Sequence, residues 1–429
     1  MKIKTLTAAL ACALPVTGAF AAALDRSGQS ISAFLQPGNY AEISMSVLDP
    51  DVSGKTHSDY PSRSPAAQPF VGGQSVGEMA DDYAFGSAAI KVQPTEHFSF
   101  GLLYDQPFGA SASYSAETAA LPNVAALGAN AGQGAFHNGS EGTEVSFDTH
   151  SLSAIFGFQP NVNWNIYGGP VYQTIEGEVK LRGLAYGGPG LFGGYDAKID
   201  QDGEFGWLAG VAFQIPDIAL KASLTYRSEV EHESVVEESI GAGASPTINA
   251  IVAAAGPGIT DITTPQSVNL DLQSGIMANT VAFANVRWVN WKDFSIKPHQ
   301  FGAVADAVGA AVGAPNGFDL IAYSDDQWSV NAGVGRKLND KWSGSVSVGW
   351  DSGAGNPVST LGPTEGYINT GIGIQYSPAA NYFVQGGVKY FWLGDAEAQT
   401  GSQFGTDDSV AEFEDNTAIA YGLKLGYRF

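Results

Sequence analysis

Apolar and small polar residues alternate with a period of two through most of this chain, and that pattern rules out most folds. In KWSGSVSVGWD (341–351), Trp342, Val346, Val348 and Trp350 fall on one side, and Ser343, Ser345, Ser347 and Gly349 on the other. GYINTGIGIQY (366–376) sets Ile368, Ile372, Ile374 and Tyr376 against Asn369, Gly371, Gly373 and Gln375. NYFVQGGVKYFWL (381–393) and IAYGLKLGYRF (419–429) repeat it. Successive side chains of a strand point to opposite faces, so each stretch is a strand with one greasy and one small, polar side. A soluble sandwich turns a face rich in Lys and Glu to water. Here charged residues are only 15% and Gly reaches 54 of 429. Apolar residues to lipid, aromatics near segment ends and small polar residues to a lumen are the pattern of an outer-membrane barrel.

The connections agree. About fourteen such segments can be read, joined alternately by short and long links. Short ones lie near 93–97, 159–163, 214–217, 276–279, 338–341 and 377–381; long ones span about 52–80, 112–143, 182–196, 232–266, 297–319, 352–364 and 396–411. Short periplasmic turns and long external loops characterise single-chain bacterial barrels, and an even strand number returns both ends to one side. Lipid cannot satisfy an open sheet edge, so the sheet must close. No stretch supplies the roughly 20 apolar residues of a spanning helix. The expected fold is therefore an all-β, antiparallel up-and-down transmembrane barrel over 40–429.

The N-terminus, MKIKTLTAALACALPVTGAFAAALD, has a basic start at Lys2 and Lys4, an apolar run, and a small-x-small site at Ala19–Ala21. It reads as a secretory leader over 1–21. The only cysteine, Cys12, lies within it, so the exported chain has no disulfide framework. The net charge of −23 argues against nucleic-acid partners. Export and a barrel together place the chain in the outer membrane of a Gram-negative bacterium, among its lipid and lipopolysaccharide. A monomer is expected.

The external loops are unusually apolar. AALPNVAALGANAG, TINAIVAAAGPG and FGAVADAVGAAVGA each read as a short helix. They form either a greasy collecting surface or a lid packed on itself. In NTVAFANVRWVNWKDF, Phe283, Arg287 and Trp291 share a face, and a cation facing lipid is costly, so that face is luminal. Lys389 and Phe391 share the luminal face of the penultimate strand, and Lys221 and Arg227 that of IALKASLTYR. An apolar wall with a few cations suits an amphiphile with a carboxylate head. Alternatively these cations pair with luminal acids such as Glu42, Asp271 or Glu229. Pro107, Phe108 and Gly109 interrupt the third strand, either as its upper end or as a gap in the wall through which a ligand leaves sideways.

With these segments in hand, the chain resembles the FadL/TodX-type outer-membrane transporters (OMPP1/FadL/TodX). SMSVLDPDVSG (44–54) looks like the family's first strand and loop, DDQWSVNAGVGRKLNDKW (325–342) like its acidic–Trp strand and turn, WVNWKDF (288–294) like a Trp-ended strand, and YGLKLGYRF like its closing strand. The resemblance implies a fourteen-stranded monomer passing long-chain fatty acids or aromatic hydrocarbons by diffusion. Capture would be at external loops and release through a lateral opening at a kinked third strand. It also implies an N-terminal hatch. Here only 22–39 precedes the first strand, without an Asn-Pro-Ala motif, and it reads as a reduced plug anchored by Ile31, Phe34 and Leu35. The terminal Phe429 resembles the signal read by the barrel-insertion machinery.

Other functions fit less well. Asp148 and His150 share one strand face while Ser151 points opposite, a poor geometry for a Ser–His–Asp relay. His57, His97, His137, His232 and His299 read as solvated loop residues, and the acidic run EVEHESVVEES (229–239) as a solvated loop. No catalytic residues, metal ligands or cofactor are expected. A general porin for small hydrophilic solutes is the rival, and apolar loops disfavour it.

Overall fold

The computed structural model describes residues 24–58, 72–241, 243–312, 316–401 and 408–429; the expected leader lies outside them. Fourteen antiparallel strands close into a barrel: β1 (Tyr40–Asp51), β2 (Tyr83–Val92), β3 (Phe98–Asp105, resuming as Gly109–Ser113), β4 (Glu144–Asn161), β5 (Trp164–Arg182), β6 (Gly194–Ile215), β7 (Leu220–Arg227), β8 (Ser267–Met277), β9 (Thr280–Val289), β10 (Gln327–Lys337), β11 (Trp342–Asp351), β12 (Tyr367–Ala379), β13 (Tyr382–Leu393) and β14 (Thr417–Arg428). The seam pairs β14 with β1 from Tyr40 opposite Arg428 to Asp51 opposite Thr417. Closure leaves no edge to satisfy in lipid.

The alternation sets which side faces lipid. Ile43 and Met45 on β1, Phe156 on β4, Val346 and Val348 on β11, Ile372 and Ile374 on β12 and Leu423 on β14 are all exposed on the outside. Trp164, Trp342, Tyr382 and Tyr427 ring the end with short turns, and Trp207, Trp328, Trp350 and Trp392 ring the other. Such girdles lie at the two membrane interfaces.

The long connections fold into a cap. Two helices, α1 (Pro246–Ala255) and α2 (His299–Val312), and a 3-10 turn (Ala125–Asn130) occupy the three apolar loop stretches. Ile248 of α1 and Phe301, Val304 and Ala305 of α2 are buried in one large apolar cluster with Phe192, Trp291, Phe294 and Phe413. Val124 and Leu127, by contrast, are exposed. No described helix is long and apolar enough to cross a membrane. Five pieces of two to four residues, Ser53–Thr56, Ser75–Glu78, Val358–Ser359, Ala396–Gln399 and Ala411–Phe413, form a second sheet outside the barrel. The acidic run is not a loop. Val230–Ile240 continues the line of β7 outward, pairing with Ile259–Thr264 and with β6. Val230, His232, Ser234 and Val236 alternate inward and Glu231, Glu233 and Glu237 outward, while Glu238 falls on the inward side and accepts from Tyr195 OH at 2.7 Å; the inward His and Ser disguise the period. His137 and His232 are buried rather than solvated.

Candidate functional site

Residues 24–39 lie inside the barrel, held by side chains that project inward from its wall. Ile31, Phe34 and Leu35 are buried against Leu103, Ile155, Tyr167, Val171, Leu208 and Ala212 of β3 to β6. The Phe34 ring lies 5.7 Å from that of Tyr167. Gly101 and Gly157 make room for it, because a Cβ at either would fall within 2.6–2.9 Å of the Phe34 ring. Backbone carbonyls of the segment are capped from the wall. Asn269 donates to Gly28 O at 2.7 Å, Arg227 to Gln29 O at 3.0 Å, and Lys221 to Leu35 O at 2.8 Å. A segment with little regular structure has backbone groups that must be satisfied somewhere when buried, and here two luminal cations and an amide do it.

Arg287 is luminal, as its strand facing requires, and only 3% exposed. Its guanidinium is already engaged. Nε donates to Asp25 at 2.6 Å and Nη2 to the other Asp25 oxygen at 3.2 Å, while Asn269 accepts from Nη1 at 2.7 Å and Gln29 from Nη2 at 3.1 Å. The acid that neutralises it comes from the N-terminal segment and not from Glu42, Asp271 or Glu229. Glu42 instead pairs with Lys424 at 3.1 Å, and Asp271 accepts from Asn285 at 2.8 Å.

A cavity of about 160 Å³ remains beside the plug, and Phe283, Arg287, Lys389 and Phe391 all line it. Four of the five residues proposed for ligand contact thus meet at one space. Trp291 sits in the turn after β9, fully buried, donating to Gln327 at 2.8 Å and packed edge-on against Phe108 at 5.3 Å. The lining is more polar than the strand pattern suggests: Ile31, Leu35, Phe283 and Phe391 share it with Asn269, Asn285, Asn331, Asn369, Ser223 and Ser347. Lys389 is 2% exposed and, among the described residues, has no hydrogen-bond or ion-pair partner.

The wall is broken where Pro107 falls. β3 stops at Asp105 and resumes at Gly109, and it pairs with β2 only through Ala88–Val92. The N-terminal segment lies across the break, joined to it by a single antiparallel bridge. Asp25 bridges Phe108, Arg26 N–H donates to Pro107 O at 2.7 Å, and Gly109 N–H donates to Leu24 O at 2.7 Å. Phe108 is turned inward, tied to β4 by two hydrogen bonds with Thr149 at 2.9 and 2.8 Å. The plug, the wall break and the luminal arginine therefore form one connected unit through Asp25. The sequence singled out Ile31, Phe34 and Leu35 on the plug and Pro107, Phe108 and Gly109 in the wall. It missed Asp25 and Arg26, which join them. Among the described residues no three His, Cys, Asp or Glu side chains cluster as metal ligands.

A family model described as "Outer membrane protein transport protein (OMPP1/FadL/TodX)" matches residues 38–429. No curated protein sequence matches the chain. Among solved structures, the chain is similar to a Pseudomonas aeruginosa FadL homologue, at 14% identity and TM-score 0.66 over 93% of this chain and 92% of that one. It is also similar to the Pseudomonas putida toluene transporter TodX, at 11% identity and TM-score 0.58 over 96% of each. The Ralstonia pickettii toluene transporter TbuX follows at 11% identity and TM-score 0.54, over 97% of this chain and 98% of that one. At these identities the structures speak for the fold alone, and the family model, spanning nearly the whole chain, carries the assignment. The chain belongs to the OMPP1/FadL/TodX family of outer-membrane proteins that transport hydrophobic compounds.

Proposed function

We propose that this protein takes up hydrophobic acids, long-chain fatty acids first among them, by diffusion across the outer membrane. The observation that carries this reading is Lys389, a buried cation without a partner among the described residues, on a cavity that also holds Phe283 and Phe391. A buried charge without a partner is costly, and an incoming carboxylate would relieve it. In this reading the apolar cap collects the ligand, Phe283 and Phe391 meet its chain, and Lys389 its head. Arg287, bonded to Asp25, orders the plug, and Trp291 backs the wall break through Phe108. Release is through the lumen or sideways at Pro107–Gly109. Insertion of the barrel through recognition of Phe429, contact with lipopolysaccharide and a monomeric state belong to the same proposal.

The test is removal of the gene. Growth on a long-chain fatty acid should fail or slow while uptake of small sugars is unchanged; the reverse would favour a general porin. A second reading, uptake of monoaromatic hydrocarbons, is favoured by the cavity volume. About 160 Å³ is close to the roughly 150 Å³ that accepts a single benzene ring. Competition between hexadecanoate and toluene for the purified protein separates the two.

A further inference from the structure

The two sides of the luminal cavity differ in how well their polar atoms are satisfied. On the plug side Arg287, Asn269 and Lys221 each bond to the N-terminal segment. On the side built by β11 to β13, three side chains that line the cavity are buried and unmatched. Among the described residues, Ser347 Oγ and Asn369 Oδ1 have no hydrogen-bond partner, and the Lys389 ammonium on the same cavity has none either. Ser347 and Asn369 are 3% exposed and Lys389 2%.

Their register makes them one group. Ser347 lies opposite Gly371, and Gly371 opposite Lys389, so the serine and lysine flank a position without a side chain. Asn369, one luminal rank away on β12, is the diagonal neighbour of both, a separation of about 7–8 Å. The next glycine is also placed for them: a Cβ at Gly349 would fall 2.5 Å from the Asn369 amide nitrogen. Phe391, opposite Asn369, supplies an apolar floor.

Each buried polar atom left unmatched costs about 1–3 kcal/mol, so this wall favours a ligand that can match all three. A hydrocarbon matches none of them. A plain carboxylate can accept from the lysine and from Ser347 Oγ–H, but it has no proton to give Asn369 Oδ1. A hydroxyl a few bonds from that carboxylate can donate to Asn369 Oδ1 and accept from Ser347 Oγ–H together.

We infer that the β11–β13 wall is a binding site for the head of a hydrophobic hydroxy acid, with Lys389 meeting the carboxylate and Asn369 and Ser347 the hydroxyl. The inference rests on the reading of this cavity as an acid site and narrows its ligand class. The cavity volume suits the head and first few carbons, and the tail extends toward the apolar cap.

The experiment uses the full chain in lipid nanodiscs, titrated with tetradecanoate and 3-hydroxytetradecanoate at matched free concentrations. The hydroxylated acid should bind about tenfold tighter, the factor expected for one satisfied buried hydrogen bond. Ser347→Ala and Asn369→Leu should each bring that ratio toward one, weakening 3-hydroxytetradecanoate more than tetradecanoate. Lys389→Met should weaken both acids by a similar factor. Two variants on different strands guard against one that fails to fold, and heat-modifiable electrophoresis checks the barrel. Equal binding of the two acids by the unaltered chain overturns the hydroxyl site and leaves the acid reading standing. Binding of neither acid overturns both. A ratio that survives both Ser347→Ala and Asn369→Leu places the preference elsewhere and overturns the inference.

Discussion

Arg26, on the segment inside the barrel, bonds to Asp148 on the outer face of β4. Asp148 belongs to the outward set of its strand with Leu152, Phe156 and Phe158, and its carboxylate is 42% exposed, whereas the Arg26 side chain is 4% exposed. The guanidinium also lies 4.3 Å from the centre of the Tyr83 ring. The arginine thus reaches through the break in β3 and fastens the plug to the outside of the wall. The pair is charge-assisted but half in solvent, so its removal should cost only about 1–2 kcal/mol locally. Arg26→Ala is expected to speed hydrogen exchange at residues 105–113 about tenfold while other strands are unaffected. Unchanged exchange there would show that the backbone bonds of Leu24–Arg26 suffice to close the break.

Gly109 is what lets that arginine through. A Cβ there would collide with the Arg26 guanidinium, and Pro107 offers no N–H for the ladder. Replacing both, Pro107→Val with Gly109→Val, should let β3 run on unbroken and push Arg26 back inside. If ligand leaves sideways at this point, uptake of a radiolabelled fatty acid by cells carrying the double variant should fall several-fold with the barrel intact. Undiminished uptake would leave the axial lumen as the route and the break as the upper end of a strand.

These two residues mark where the sequence was readable and where it was not. The barrel was legible because its signal is local: a period of two repeats within every strand and fixes facing without knowledge of the neighbours. It placed Phe283, Arg287, Lys389 and Phe391 correctly on the lumen. Partners are not local. Arg26 meets Asp148 across 122 positions and Asp25 meets Arg287 across 262, and no pattern in either strand announces them. The external sheet was equally hidden, since pieces such as Val358–Ser359 are too short to show any period. His232 and Ser234, inward on a strand that outward glutamates made look like a loop, failed for a different reason: a polar inner face removes the contrast on which the reading depends.

The cap should respond to pH through Glu365. It lies in the connection after β11, where Oε1 accepts from Gly355 N–H at 3.2 Å and burial pushes its carboxyl from 4.5 up to about 7. An acid whose folded value is raised favours the fold when protonated. Its contribution is intact at pH 4 and is lost as pH climbs through the window from about 4.5 to 7. Glu365→Gln keeps an acceptor and removes the charge. After allowance for solvent screening it should stabilise this connection by about 1–2 kcal/mol at pH 8 and by nothing at pH 4. Comparing hydrogen exchange of residues 353–366 in the two proteins at each pH measures it. An equal effect at both values would assign the change to packing and not to titration.

The Asp25–Arg287 pair makes the strongest claim about the plug. Both side chains are almost wholly buried, and removing one partner from such a pair leaves the other charge uncompensated at about 3–5 kcal/mol. Arg287→Leu and Asp25→Leu should each release residues 24–39, seen as faster exchange there and as increased conductance in planar bilayers. The double variant should recover most of the seal, because no charge is then stranded. The same pair of residues also separates two roles for the arginine. If Arg287 only holds Asp25, then Arg287→Ala changes the affinity for a fatty acid and for its alcohol by the same factor. A loss confined to the acid would mean that the ligand's carboxylate takes the place of Asp25 on the guanidinium.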